Sequence, residues 1–376
     1  MMDILDGETK VFYATLPMGL ERVSAREIEG FGGRIRELRE GKGRVFFEGR
    51  MDLVPILNNL SRTLERVMLL LCNTHVSSLD DVYRAVKSLD FSFINPDQSF
   101  AIRSSRTGTH DFTSIDISRE AGQGVIDSYL KDRKIRLKVD LDDPDIIIRV
   151  DLIQDELFVG IDTTGDRALH KRWYRVYNHP APLNPSIACS MIYLSGWKKE
   201  KTLLDPMCGS GTIPIESAMM IRNIPPGKNR DFSYFEFLGR ILPEFRESGD
   251  SSIILGSDRF RKHVEGAKEN AKEAGVLDTV RFFQMDVKEL KGIEAEYIVT
   301  NPPYGLRIGR KGRIKELYEI LFERSMDVLT GDSILTLITP YGDLIKDLSI
   351  AFGFQIKEEM KVRYGDLDTT IFKLKA

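Results

Sequence analysis

The chain is 376 residues long, 42% hydrophobic and 30% charged, with 54 Lys and Arg against 57 Asp and Glu for a formal net charge of −3. At ~150 residues per domain this predicts two or three domains, each with enough apolar content for a core. The absence of any run of ~18 apolar residues and of a signal-peptide core excludes a membrane helix and predicts a soluble, cytoplasmic protein. Cys72, Cys189 and Cys208 stand far apart, with no Cys-x-x-Cys pair and no His-rich companion, which argues against disulfides and against a metal site.

The first 165 residues read as α+β. Residues 11–15 form a short strand, and 20–29 a helix that Gly30 is expected to close in a left-handed conformation. Residues 35–38 and 43–48 pair as a hairpin, and 53–60 form a second helix. That β-α-β-β-α order, followed by the apolar run 67–72, is the split-βαβ pattern of a ferredoxin-like unit over residues 1–65. A second unit, 66–165, follows with helix 79–89, strand 99–104, helix 116–132, strand 136–139 and a hairpin of 145–151 with 156–162.

Residues 166–200 form a linker of distinct composition and a helix. Arg167, Lys171, Arg172 and Arg175 alternate there with Trp173, Tyr174 and Tyr177. Cations interleaved with rings suit a nucleic-acid backbone, since cations neutralise phosphates while rings stack on bases. A solvated strap between domains is the alternative. With a net negative chain, a polyanion has to be met by such local patches. The second unit's Arg103, Arg106, Arg119, Lys131, Arg133 and Lys134 add support of the same kind.

From residue 201 strands and helices alternate. Strands are expected at 202–205, 252–257, 280–284, 297–300 and 333–339, with helices at 213–222, 261–274 and 315–329, and a final antiparallel pair at 354–361 and 370–375. This is an α/β, doubly wound, mostly parallel sheet that binds its ligand beyond the carboxyl ends of the strands. The first strand runs into Asp205-Pro-Met207-Cys208-Gly209-Ser-Gly211, where two glycines allow close approach of a ligand and Asp205 can accept from an ammonium. Pro214 stands where a dinucleotide fingerprint needs its third glycine, and no Gly-Lys-Ser/Thr follows to make a P-loop. Asp258 ends the second strand, placed for ribose hydroxyls. Asp286, beside Val287, ends the third, placed for an adenine amine. Each acid taken alone also reads as a helix N-cap.

The fourth strand stops in Asn301-Pro302-Pro303-Tyr304. Two prolines remove two backbone donors and fix φ, so the Asn301 and Pro302 carbonyls stay free as acceptors. With the Asn301 side-chain oxygen and the flat Tyr304 they suit an exocyclic amine on a planar base. An ordinary Pro-rich turn is the bland alternative. Arg307, Arg310, Lys311 and Arg313 follow with no acid among them, and read as RNA-binding surface.

The 205–212 and 301–305 motifs together resemble those of class I S-adenosylmethionine-dependent methyltransferases that modify exocyclic amines. With the segment 175–187 and the N-terminal units, the chain resembles guanine-N2 RNA methyltransferases that carry a THUMP domain, here 66–165, ahead of a Rossmann-like catalytic domain, 201–376. The resemblance covers nearly the whole chain. It implies S-adenosylmethionine as cofactor, with Asp205, Met207, Cys208, Gly209 and Gly211 at its methionine part, Asp258 at the ribose, Asp286 and Val287 at the adenine, and Leu183 as a cover. It implies Asn301, Pro302 and Tyr304 as the residues that bind the guanine amine. Asn301, where dimethylating relatives tend to carry Asp, resembles the monomethylating tRNA position-6 and 23S rRNA types; position 6 in the tRNA acceptor stem is the expected target, and a monomer the expected state. A 23S rRNA enzyme, a tRNA guanine-10 enzyme and an RNA-binding protein with an inactive fold are the rival readings.

Overall fold

A computed structural model describes residues 8–249, 253–305 and 311–376, with the side chains of 311–313 left out. The first eight strands form one continuous sheet. Its elements are β1 (Lys10–Thr15), α1 (Glu21–Gly30), β2 (Arg34–Arg39), β3 (Arg44–Gly49), α2 (Leu53–Leu60) and β4 (Arg66–His75). They are followed by α3 (Leu79–Lys87), β5 (Ser99–Thr107), α4 (Ser114–Arg133), β6 (Lys138–Val139), β7 (Ile146–Ile153) and β8 (Glu156–Asp162). The strand order is β2-β3-β1-β4-β8-β7-β5-β6. β4 pairs antiparallel with β1 along one edge and with β8 along the other, so the two units read from sequence share a sheet.

Local signals account for some helix ends. α3 and α4 open with reciprocal capping boxes, Ser78 with Asp81 and Thr113 with Asp116. Gly30, expected to stop α1 in a left-handed conformation, is instead its last helical residue, and Gly32 makes the turn at φ 94°. The chain needs that positive φ two residues later than the periodicity suggested, because β2 starts only at Arg34.

α5 (Pro185–Ser195) then leads into the second sheet, capped by the Asn184 side chain and stopped by Gly196 at φ 71°. The elements after it are β9 (Leu203–Asp205), α6 (Thr212–Ile221), α7 (Phe235–Leu238), β10 (Ile254–Asp258), α8 (Arg261–Glu273), β11 (Val280–Gln284) and β12 (Ala295–Thr300). The chain closes with α9 (Lys311–Val328), β13 (Leu329–Thr339), α10 (Gly342–Phe352), β14 (Gln355–Tyr364) and β15 (Leu367–Lys375). The order is β11-β10-β9-β12-β13-β15-β14, parallel through the first five, with β15 antiparallel to both its neighbours. Strand order reverses between β9 and β12. A crevice for a ligand opens at such a point.

The two halves are joined by a buried polar cluster on α6. Glu216 accepts from Arg172 Nε at 2.9 Å, from the Tyr174 hydroxyl at 2.9 Å and from the Cys189 thiol at 3.1 Å, with Arg62 Nη1 at 3.7 Å. Arg62, from the first half, also donates to the carbonyls of Met219 and Ile224 at the end of α6. This corrects the reading of the linker. Arg172 has a fully buried side chain paired with Glu216, so it cannot reach a phosphate. Tyr174 is equally buried, and Tyr177 lies on α8, where a Cβ on Gly266 would stand 2.3 Å from its ring. Arg167 and Lys171 are exposed, while Arg175 is half-buried and donates to the Leu183 carbonyl. The 223–249 insertion clasps the same junction: Gly227 N–H donates to Asn59, and Tyr234 accepts from the Asn59 amide while its own N–H donates to Thr163.

Candidate cofactor and base site

β9 and β12 are neighbours, in register Tyr297 with Leu203 and Ile298 with Leu204, so Asp205 and Asn301 leave the sheet side by side. Asp205 is buried. Its Oδ1 accepts from the Thr300 hydroxyl at 2.7 Å and the Met207 N–H at 3.2 Å, and its Oδ2 has no donor among the described residues. Burial pushes its pKa up to about 7, helped by the Asp258 charge and resisted by those two bonds. A buried acid short of donors is the place for a ligand cation.

Asp205 and Asn301 line one cavity with Met207, Cys208, Gly209 and the strap residues His179, Ala181 and Leu183. Its volume is about 50 Å³, room for a few waters or the head of one amino acid. The two glycines differ in role. Gly209 (φ 53°) faces the His179 ring, whereas Gly211 (φ 80°) is the N-cap of α6 and packs on Ala267 and Phe282, so its missing Cβ makes room for core and not for ligand.

Asp258 connects this cavity with a more open cleft. It accepts from Gly209 N–H at 3.2 Å on one oxygen and from Phe260 N–H at 2.8 Å on the other. Phe260, half exposed, lines the cleft of about 500 Å³ together with Arg259, Gln284, Met285, Asp286 and Glu289. Asp286 also caps the short turn that follows, accepting from Lys288 N–H at 3.1 Å. Val287 is buried beneath that turn.

The Asn301 turn is tied down from β13. The Tyr304 hydroxyl donates to Asn301 Oδ1 at 2.6 Å, and the Tyr341 hydroxyl donates to the Tyr304 carbonyl at 2.6 Å. Tyr341 N–H in turn donates to Thr339, which also meets the Tyr318 hydroxyl. A carboxamide oxygen has two lone pairs, so Tyr304 orients Asn301 and leaves one acceptor open. Arg307 and Arg310 lie outside the described residues, as do the side chains of Lys311 and Arg313.

Sequence reasoning missed His179, Phe260, Asn270 and Tyr341. Asn270, buried on α8, accepts from the Val176 and Tyr177 N–H groups and donates to the Ser210 carbonyl, lashing strap and glycine loop to one helix. Nothing in its local sequence marks it. Phe260 stood in plain view two residues after Asp258, and an exposed ring next to a strand-end acid is a usable signal.

A parallel sheet with a glycine loop, an under-donated acid and an Asn-Pro-Pro-Tyr turn at adjoining strand ends defines a Rossmann-like methyltransferase. The comparisons with known proteins agree. The RMKL-like methyltransferase domain matches residues 172–370, the THUMP domain 76–162 and the RlmL ferredoxin-like domain 11–68. The tRNA (guanine(6)-N2)-methyltransferase of Methanocaldococcus jannaschii is 50% identical, over 96% of this chain and 99% of that protein. The protein of the same name from Archaeoglobus fulgidus is 51% identical, over 96% and 91%. The crystal structure of a possible methylase from Clostridium difficile 630 matches with a TM-score of 0.85 at 29% identity, covering 98% of both chains. That of SMU.472 complexed with SAH matches at 0.84 and 26%, covering 97% of this chain and 98% of the other. The chain belongs to the RMKL-like methyltransferase family and carries the THUMP and ferredoxin-like units ahead of its catalytic sheet.

Proposed function

We propose that this enzyme transfers a methyl group from S-adenosylmethionine to the exocyclic N2 amine of guanosine 6 in tRNA, giving N2-methylguanosine. The observation that carries the reading is one cavity holding both an under-donated acid, Asp205, and the acceptor of the Asn-Pro-Pro-Tyr turn, Asn301. The relatives at 50% and 51% identity bear that activity in their names. The residues fit the cofactor: Asp205 would accept from its ammonium, Met207, Cys208 and Gly209 would line its chain, and Asp258 its ribose. Asp286 and Phe260 would hold its adenine. When bound, the sulfonium supplies an activated methyl group.

The protein's own part is orientation and charge. The free lone pair of Asn301 Oδ1 and the Pro302 carbonyl would accept the two N2 protons, drawing the nitrogen lone pair out of the ring's delocalised system. The same acceptors stabilise the positive charge that develops on nitrogen, and they are fixed before reaction. Good alignment of this kind is worth up to ~7–11 kcal/mol. Tyr304, anchored through its hydroxyl, would stack on the base. A guanine in a stem must first leave its stack, at a few kcal/mol, and the exposed Arg167 and Lys171 would hold the flanking phosphates. The enzyme is read as a cytoplasmic monomer. Among the described residues no helix is long and apolar enough to cross a membrane.

Mass mapping of unmodified tRNA and rRNA incubated with the enzyme and methyl-labelled cofactor tests the assignment. A single methyl at guanosine 6 is expected; label elsewhere, or none, overturns it. Asn301→Ala should cut turnover at least about a hundredfold and leave S-adenosylhomocysteine affinity nearly unchanged. Full turnover in that variant would remove Asn301 from the mechanism.

A further inference from the structure

The amino-acid head of the cofactor carries two opposite charges, and the site as described accounts for one. Asp205 takes the ammonium. Among the described residues no Lys or Arg lines the inner cavity, and His179 is the one basic side chain in its lining. The glycine loop spends several of its own donors internally: Gly209 N–H on Asp258, Cys208 N–H on Ser257 and Gly211 N–H on Cys208.

The His179 ring is set for a donor's role. Its Nδ1 accepts from the Ala181 N–H at 3.1 Å, which leaves the neutral ring's proton on Nε2. Nε2 has no partner among the described residues and is the ring atom nearest the face of Gly209, 3.3 Å from where a Cβ would stand. The ring is braced edge-on by His263 of α8 at 4.4 Å between centroids. Around it lie Asp258 from β10, His263 from α8 and Arg175 from the strap. Burial first, then His263, holds its pKa below the ordinary value, so the uncharged, singly protonated ring prevails. The Ala181 N–H occupies the Nδ1 lone pair, so the ring meets an anion as a neutral donor through Nε2–H.

We propose that His179 is the carboxylate ligand of the cofactor's amino-acid head, its Nε2–H donating to one carboxylate oxygen while Asp205 accepts from the ammonium across the same cavity. This rests on S-adenosylmethionine being the cofactor. It also gives the strap a purpose: residues 176–183, lashed to α8 through Asn270 and carrying His179, form a wall of the pocket whose polar tip reads the head group.

Calorimetric binding with the full-length protein separates the possibilities. The two probes are S-adenosylhomocysteine and 5′-methylthioadenosine, which keeps the nucleoside and lacks the amino-acid head. His179→Phe should weaken S-adenosylhomocysteine by about tenfold or more and leave 5′-methylthioadenosine unchanged. His179→Gln, which restores an amide donor at similar reach, should recover most of the loss. Unchanged S-adenosylhomocysteine binding in His179→Phe overturns the assignment, and equal weakening of both probes overturns it in favour of a packing role. Failure of the unaltered protein to bind either probe would sink the cofactor reading itself.

Discussion

Two acids lie buried about a dozen residues apart, one on each side of the glycine loop, and their surroundings are opposite. Glu216 sits among two guanidiniums, a phenol and a thiol; burial alone would raise its pKa, but Arg172 and Arg62 outweigh that and hold it below the usual carboxylate range. Asp205 has one hydroxyl and one N–H, and burial pushes it up to about 7. The first is a finished structural joint, its charge answered from within the chain. The second is an unfinished one, which in the proposed function a ligand's ammonium would complete.

The comparison is broken most severely from the Glu216 side. Glu216→Ala leaves Arg172 and Arg62 buried without a counter-charge, and should cost about 3–5 kcal/mol in denaturant unfolding. Because Arg62 belongs to the first half, just ahead of β4, and Arg172 to the linker, the loss should loosen the junction between the halves. A Glu216→Ala protein as stable as the parent would show that the cluster is not a joint.

Asp205→Asn should act in two opposite directions. Losing the charged partner of an ammonium should weaken S-adenosylhomocysteine about tenfold to a hundredfold, while the cofactor-free protein becomes more stable at pH 8. The sign follows from the folded pKa of about 7 lying above the unfolded value of ~4. Folding takes up a proton between those values, so the parent loses stability as pH rises through that window, by up to a few kcal/mol, and the asparagine variant does not. For the same reason the ammonium, by favouring the ionised carboxylate, should make cofactor affinity rise from pH 6 to pH 8 with release of a proton. Calorimetry in buffers of different ionisation enthalpy checks that release. Glu216 behaves in reverse: its contribution is present above the unfolded value of ~4.3 and fades as pH falls through the lower folded one, so acid should weaken the joint while protonation of Asp205 favours the cofactor-free fold.

The smallest effect concerns the turn beside Asp205. Tyr341→Phe removes one hydrogen bond to the Tyr304 carbonyl, worth about 1 kcal/mol. It should lower kcat several-fold with cofactor affinity unchanged, and an unchanged kcat would mean the turn holds itself.

Much of this was visible in the order of residues. The helix Leu53–Leu60 and the strand Val280–Gln284 fall where periodicity put them, because each buries a face that repeats at 3.6 or 2 residues. Helix Gly342–Phe352 went unread. It opens on a glycine with no side-chain cap and leaves Ile350 in solvent, so its pattern blurs. The linker misled for a related reason: Arg172 is chemically a surface residue, and its partner Glu216 lies 44 residues on.

Strand ends, glycines, prolines and acids follow from backbone sterics and local chemistry, and so the positions of Asp205, Asp258 and Asn301 at successive strand ends were decided by the order of residues alone. Which groups then meet depends on packing across long separations. The contact of Thr300 with Asp205 spans 95 residues, and that of Tyr341 with Tyr304 spans 37. The burial that strips Asp205 of donors, the ring of His179 over Gly209 and the sealing of Arg172 arise only once elements far apart in the chain pack together. A charge's cost and a donor's freedom depend on the whole surrounding volume, and no stretch of chain contains that volume by itself.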